Sequence, residues 1–187
     1  MKRNTRRPAG WRAPDKNSRT SSVTSAKSIH VVFVCTGNIC RSPMAEIIYR
    51  DKLEEAGLSD EVMVTSCGIG GWHVGQGADR RAVAELAGAG YDGSKHRAAQ
   101  FGDRDRSAEL VVALDDGHVR QLKKLGVPAE RIRLLRSFDP TAPAGASVDD
   151  PYYGGREGFT RVLNQLEAAM PGLIEWAKTW TADVSQR

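Results

Sequence analysis

Cys35 stands at the end of a short, uncharged, β-branched run, Ile29–Val34, and Arg41 follows six residues later, just before Ser42-Pro43. This spacing predicts a tight strand-to-helix loop, Cys35-Thr36-Gly37-Asn38-Ile39-Cys40-Arg41. Such a loop turns its backbone N–H groups inward as an anion nest, and the helix N-terminus adds positive potential. Arg41 can grip two oxygens of a phosphate side by side, which lysine could not. The same field favours a thiolate at Cys35, and a thiolate beneath a bound phosphate is placed for in-line attack. A strand-ending cysteine taken alone reads as a small buried residue. Together, Gly37, Arg41, Ser42 and the helix start point instead to a nucleophile. The loop is neither a G-x-G-x-x-G dinucleotide fingerprint nor a GK[ST] phosphate loop.

The oxygen that leaves a phosphate ester is a strong base near pH 7, so its departure needs a proton donor. Two Asp-Pro pairs compete for that role. Asp139-Pro140 directly follows a predicted strand. Asp150-Pro151 lies in a stretch rich in Pro, Gly and Asp, beside Tyr152 and Tyr153, whose rings could flank a substrate phenyl group and exclude water. Asp149 reads as an exposed loop charge. His30, His73, His96 and His118 show no ligand spacing with cysteine or carboxylate, so neither a metal nor another cofactor is expected.

These residues need a scaffold. Ile29–Val34 has the pattern of a buried parallel strand. A helix is predicted over Pro43–Ala56, with Ser42 as cap, Pro43 at its first position and Gly57 as stop. Further strands are read at 61–65, 110–114 and 132–135, and further helices at 79–89 (Val83, Leu86 and Ala87 inward) and 116–125. An irregular stretch, 137–155, precedes a helix reaching to near Trp180, with a kink at Pro171-Gly172. Strands alternating with helices imply a single doubly wound α/β domain, a parallel sheet covered on both faces. Ligands then bind beyond the carboxyl ends of the strands.

The chain has 187 residues, 40% hydrophobic and 27% charged, which excludes a wholly disordered protein. No apolar run approaches the roughly 18 residues that span a bilayer, so no membrane association is expected. Three cysteines are too few for a disulfide scaffold and suggest a reducing compartment. The net charge of +4 is uneven: residues 1–27 carry +7 and the remainder −3. That basic segment lacks helical period and interleaved aromatics, so it is read as a disordered extension without a nucleic-acid role. It has no apolar core of a secretory signal. The reading is thus an extension over 1–27, a domain over 28–182 and a tail over 183–187, located in the cytoplasm, with export lacking a cleavable signal left open.

The segment Cys35-Thr-Gly-Asn-Ile-Cys-Arg41-Ser42-Pro43-Met44-Ala45-Glu46 resembles the signature of the low-molecular-weight protein tyrosine phosphatases. The resemblance runs from Ile29 to about Trp180 and takes in Thr65-Ser66-x-Gly68, Trp72-His73-Val74-Gly75, His96-Arg97-Ala98-Ala99-Gln100, Ser137-Phe138-Asp139-Pro140 and Asp150-Pro151-Tyr152-Tyr153-Gly154. The Trp-His loop is most similar to that of mycobacterial secreted members. The resemblance implies a four-stranded parallel sheet, metal-free catalysis and a cysteinyl-phosphate intermediate. It also places the acid immediately before Pro-Tyr-Tyr, which selects Asp150.

The expected roles follow. Cys35 is nucleophile, Arg41 phosphate clamp and Asp150 general acid and base. Thr36, Gly37, Asn38, Ile39, Cys40 and Ser42 surround the phosphate, with Ser42 donating to the thiolate. Trp72, His73, Tyr152 and Tyr153 line the rim. By resemblance, Asn38, Ser66 and His96 form a network that holds the loop's shape, and Asp115 is structural. The expected partners are tyrosine-phosphorylated proteins, with inorganic phosphate as product and a monomeric enzyme. A thiol-relay arsenate reductase shares this fold and loop, but would need further cysteines downstream, and only Cys67 follows Cys40. Arginine phosphatases resemble the chain too but carry threonine where Ile39 stands. Cys35 and Cys40 are expected to make the enzyme redox-sensitive.

Overall fold

Strand β1 (Ile29–Cys35) is buried along its whole length, as its uncharged β-branched sequence predicts. It lies inside a four-stranded sheet of order β2-β1-β3-β4, all parallel, with β2 at Val62–Gly68, β3 at Leu110–Ala113 and β4 at Ile132–Leu134. This computed structural model describes residues 28–185, so the basic extension read over 1–27 lies outside the described residues.

Period-two alternation along β1 builds both halves of the core. Ile29, Val31, Phe33 and Cys35 face one side, packed with α1 (Arg41–Glu55), α2 (Arg80–Gly88) and α5 (Arg156–Ser185). Val32 and Val34 face the other, against Leu122 of α4 (Asp116–Lys124) and Ala108, which follows α3 (Asp103–Arg106). Helices on both faces of a parallel sheet are the architecture read from the sequence.

Several boundaries move. Strand β2 runs three residues past Thr65, because Ser66, Cys67 and Gly68 pair with Phe33, Val34 and Cys35. Their own β-propensity is weak, and the ladder to β1 overrides it. In α2 the inward residues are Ala82 and Leu86, Val83 is half-buried, and Ala87 is exposed. Ala87 sits about 100° round the helix from Leu86, outside the single face that meets the core. Helix α3 was not legible at all, since DRDR has no apolar period.

Helix α5 continues through Pro171 to Ser185, past the predicted end near Trp180 and into the stretch read as a tail. Pro171 removes one helical donor, yet the helix is unbroken there. Gly172 has a packing reason: a Cβ on it would lie 2.2 Å from the Phe138 carbonyl oxygen, so only glycine lets α5 close on the 3-10 turn Leu135–Phe138. Among the described residues, no helix is long and apolar enough to cross a membrane.

Candidate active site

The carboxyl ends of β1, β2 and β3 converge on the loop Cys35–Cys40. Asn38 adopts a left-handed φ of +57° and is fully buried. Its amide donates to the Oγ atoms of Ser42 (2.9 Å) and Ser66 (2.8 Å), and its Oδ1 accepts from Ala99 N at 2.8 Å. Its backbone carbonyl meets His96 Nε2 at 2.8 Å. Gly68 lets β2 press against this loop, since a Cβ there would lie 2.9 Å from the Gly37 carbonyl carbon. Asn38, Ser66 and His96 are thus brought together as the resemblance implies. Asn38 and Ser42 brace the loop from behind with their side chains instead of lining the cavity in front of it.

Cys35 Sγ sits 2.9 Å from Ser42 Oγ and accepts from Asn38 N at 3.3 Å. Ser42 is not the helix cap read from the sequence. The N-cap position of α1 is Cys40, with no side-chain cap and no acidic residue in the first turn. The physical consequence is that the first N–H groups of α1 keep their positive potential for an anion, and the Ser42 hydroxyl serves the sulfur.

Arg41 is 3% exposed and held from two sides. Its Nη1 donates to Asp115 Oδ2 (2.9 Å) and to the Val148 carbonyl (3.2 Å). Its Nη2 donates to Asp150 Oδ2 at 2.8 Å and, more loosely, to Thr36 Oγ1 at 3.4 Å. Nη2 is thus engaged by Asp150 and Thr36, and an anion gripped by the guanidinium fork must compete with them for it.

A cavity of about 310 Å³ gathers Cys35, Thr36, Gly37, Ile39, Cys40 and Arg41 with Trp72, His73, Asp150, Tyr152 and Tyr153. Trp72 and Tyr153 are the open part of the rim, at 73% and 95% exposed. Ile39 lines the cavity and also packs on the core. Asp139, the rival acid, is buried elsewhere. It accepts from Thr141 N (2.9 Å) and Oγ1 (2.7 Å) and faces Arg136 at 3.6 Å. The Thr141 hydrogen bonds, then Arg136, hold its carboxyl below the usual carboxylate range.

Three contributors were not singled out from the sequence. His118 is buried with Nε2 at 2.9 Å from Thr36 Oγ1 and Nδ1 at 3.1 Å from Asp115 Oδ1, the latter outside hydrogen-bond geometry. Burial pushes its pKa down to about 4, against the pull of Asp115. Glu46 is buried beneath the loop, where its Oε2 accepts from Ser66 Oγ. Arg81 ties the capping Asp79 of α2 to the carbonyls of Tyr152 and Gly154, both at 3.0 Å. Only the Asp79-x-Arg81 spacing hinted at this, and it reads equally as a helix start. Cys67 is buried, and burial pushes its thiol up. Burial, then Asp79, pushes the Cys40 thiol up to about 12. Among the described residues, no three His, Cys, Asp or Glu side chains are grouped to hold a metal ion.

Fold and loop together define an α/β phosphate-binding domain with a cysteine at the base of its anion site. The family model described as low molecular weight phosphotyrosine protein phosphatase matches residues 30–185. The low molecular weight protein-tyrosine phosphatase A of Mycobacterium tuberculosis is 53% identical over 149 residues, covering 79% of this chain and 91% of that protein. The solved protein tyrosine phosphatase from Entamoeba histolytica superposes with a TM-score of 0.76 at 31% identity, over 81% of this chain and 98% of that one. A Drosophila arginine phosphatase superposes at 0.70 and 26% identity, over 79% of this chain and 97% of that one. The chain therefore belongs to the low molecular weight phosphotyrosine protein phosphatase family. It is an enzyme of the cysteine-based kind that defines that family, with Cys35 and Arg41 in its loop.

Proposed function

We propose that this protein hydrolyses phosphotyrosine in proteins, with Cys35 as nucleophile, Arg41 as phosphate clamp and Asp150 as general acid and base. The observation that carries this reading is the meeting of Cys35, Arg41 and Asp150 in one cavity with an aromatic rim. Cys35 Sγ attacks phosphorus while the ester P–O bond breaks, and a protonated Asp150 gives its proton to the leaving phenolate oxygen. The resulting Asp150 carboxylate then takes a proton from water, which attacks the cysteinyl phosphate, expels the thiolate and frees inorganic phosphate. Arg41 and the loop amides stabilise the equatorial oxygens in both steps. Ser42 Oγ and Asn38 N, both directed at the sulfur, stabilise it as nucleophile and as leaving group.

Asp150 shares Arg41 Nη2 with any incoming phosphate. A bound dianion competes for that nitrogen and so frees the carboxyl for the leaving oxygen. Trp72, Tyr152, Tyr153 and the apolar Ile39 favour a flat phenyl ring over a hydrated guanidinium, so phosphotyrosine is read in preference to phosphoarginine. The three free cysteines favour a reducing compartment, and the enzyme is accordingly read as cytoplasmic. It is further read as a monomer without nucleic-acid or membrane partners.

The test compares kcat/KM on phosphotyrosine and phosphoarginine peptides for the wild type, Cys35→Ser, Asp150→Ala and Ile39→Thr. Cys35→Ser abolishes turnover while vanadate still binds. Asp150→Ala slows phosphotyrosine hydrolysis by roughly 10²–10⁴. Ile39→Thr moves the ratio toward phosphoarginine. A wild type that prefers phosphoarginine overturns the substrate, and a turning-over Cys35→Ser overturns the covalent route.

A further inference from the structure

We propose that Arg81 is a positioning residue for Asp150, a strap that sets the acid loop against the phosphate loop. The inference rests on Asp150 being the general acid.

The strap can be followed bond by bond. Asp79 N donates to the Ile39 carbonyl at 2.8 Å, which anchors the start of α2 on the phosphate loop. The Asp79 carboxylate then takes Arg81 Nε at 3.0 Å and Nη2 at 2.8 Å. The other side of the guanidinium reaches across to the acid loop, to the Gly154 carbonyl from Nη1 and the Tyr152 carbonyl from Nη2. Tyr152 N in turn donates to Asp150 Oδ1 at 3.1 Å. Every link from Ile39 to Asp150 is a hydrogen bond, and within this chain of links Arg81 makes the crossing to the acid loop, beside the direct Arg41–Asp150 pair.

Arg41 holds the near end of the acid loop, at Val148 and Asp150, and Arg81 holds its far end, at Tyr152 and Gly154. Residues 152–157 are exposed, and Gly154-Gly155 adds backbone freedom at its end. Arg81 also stacks at 4.7 Å from the Phe159 ring centroid and 6.0 Å from that of Tyr152, which restricts the guanidinium to one plane. Only a planar fork can bind a carboxylate along one edge and two carbonyls along another. A general acid must reach the leaving oxygen to within hydrogen-bond distance, so a loop that wanders by an ångström loses the proton transfer while leaving the anion site intact.

A bare helix-start ion pair would lower stability and slow every substrate alike. The strap predicts something selective. Aryl phosphates whose phenols span a range of acidity are assayed with the wild type, Asp150→Ala, Arg81→Ala, Arg81→Lys and Asp79→Asn, alongside vanadate inhibition. Arg81→Ala loses about tenfold to a hundredfold on poor leaving groups, the scale of a misplaced catalytic group. The loss shrinks as the phenol becomes more acidic, and vanadate inhibition is unchanged. Arg81→Lys is intermediate. Asp79→Asn keeps the helix cap but removes the anchoring charge, so it shifts the same way and serves if Arg81→Ala does not fold. Uniform slowing across the series, weakened vanadate inhibition or unchanged rates in the folded variants overturns the strap. Leaving-group dependence in Asp150→Ala but not in the Arg81 and Asp79 variants removes the strap alone. Its absence in Asp150→Ala removes the acid assignment, and the strap with it.

Discussion

Cys40 differs from Cys35 in what surrounds its sulfur, although both line the same cavity. Cys35 receives Ser42 Oγ and Asn38 N, whereas Cys40 is buried beside Asp79 and its thiol is pushed up to about 12. Cys40 therefore stays protonated at neutral pH and does not compete for phosphate. When peroxide oxidises Cys35 to a sulfenic acid, the Cys40 thiol can condense with it, losing water and forming a disulfide before irreversible oxidation. Peroxide followed by dithiothreitol should restore activity in the wild type and much less in Cys40→Ser. Recovery should improve as pH rises, because the thiolate fraction of so weak an acid grows with pH. Equal recovery in both proteins would refute a protective Cys40.

At the scale of elements, α5 and the turn before the acid loop are locked by a glycine chosen for contact. An exposed helical Gly→Ala change is ordinarily stabilising by up to about 1 kcal/mol. Gly172→Ala should reverse that sign, because its Cβ would meet the Phe138 carbonyl oxygen at 2.2 Å and one element must move. A destabilisation of about 1–3 kcal/mol, the usual range for overpacking, is expected in denaturant melts. A more stable Gly172→Ala would show that α5 approaches the turn less closely. Helix α1 carries the complementary lesson. Its uncapped start is a local defect by the rules of helix ends, and the phosphate site is where that defect sits.

For the whole molecule, pH dependence should report the buried His118. Its pKa falls from the ordinary 6.5 to about 4 on folding, mainly through burial. The unfolded chain thus binds the extra proton first. Stability is unaffected by this group above about pH 6.5 and is lost as pH falls toward 4, by about 3 kcal/mol in total. Below that, Asp139 and Asp79, held low by Thr141 and Arg81 respectively, continue the loss as they protonate. Melting temperatures between pH 7 and 4 should fall less steeply in His118→Gln than in the wild type. Parallel curves would exclude His118 as the group responsible.

The sequence by itself determined β1 and the order of groups along the phosphate loop, because Cys35, Arg41 and Ser42 are neighbours, whereas the α1 cap it suggested at Ser42 lies at Cys40. It also determined the alternation that makes a parallel sheet. Tertiary structure decided which distant groups meet them. Asp115, His118 and Asp150 lie 74 to 109 residues along the chain from the partners they touch on the loop, and Arg81 lies 71 from Tyr152. Such pairs depend on the strand order β2-β1-β3-β4, which brings the strand ends to one edge, and no period within a segment encodes that order. The two Asp-Pro pairs show the difference most clearly. The flanking Tyr152-Tyr153 and the resemblance single out Asp150 in the sequence, and the fold supplies what each carboxylate meets, committing Asp139 to Thr141 and Arg136 and setting Asp150 against Arg41.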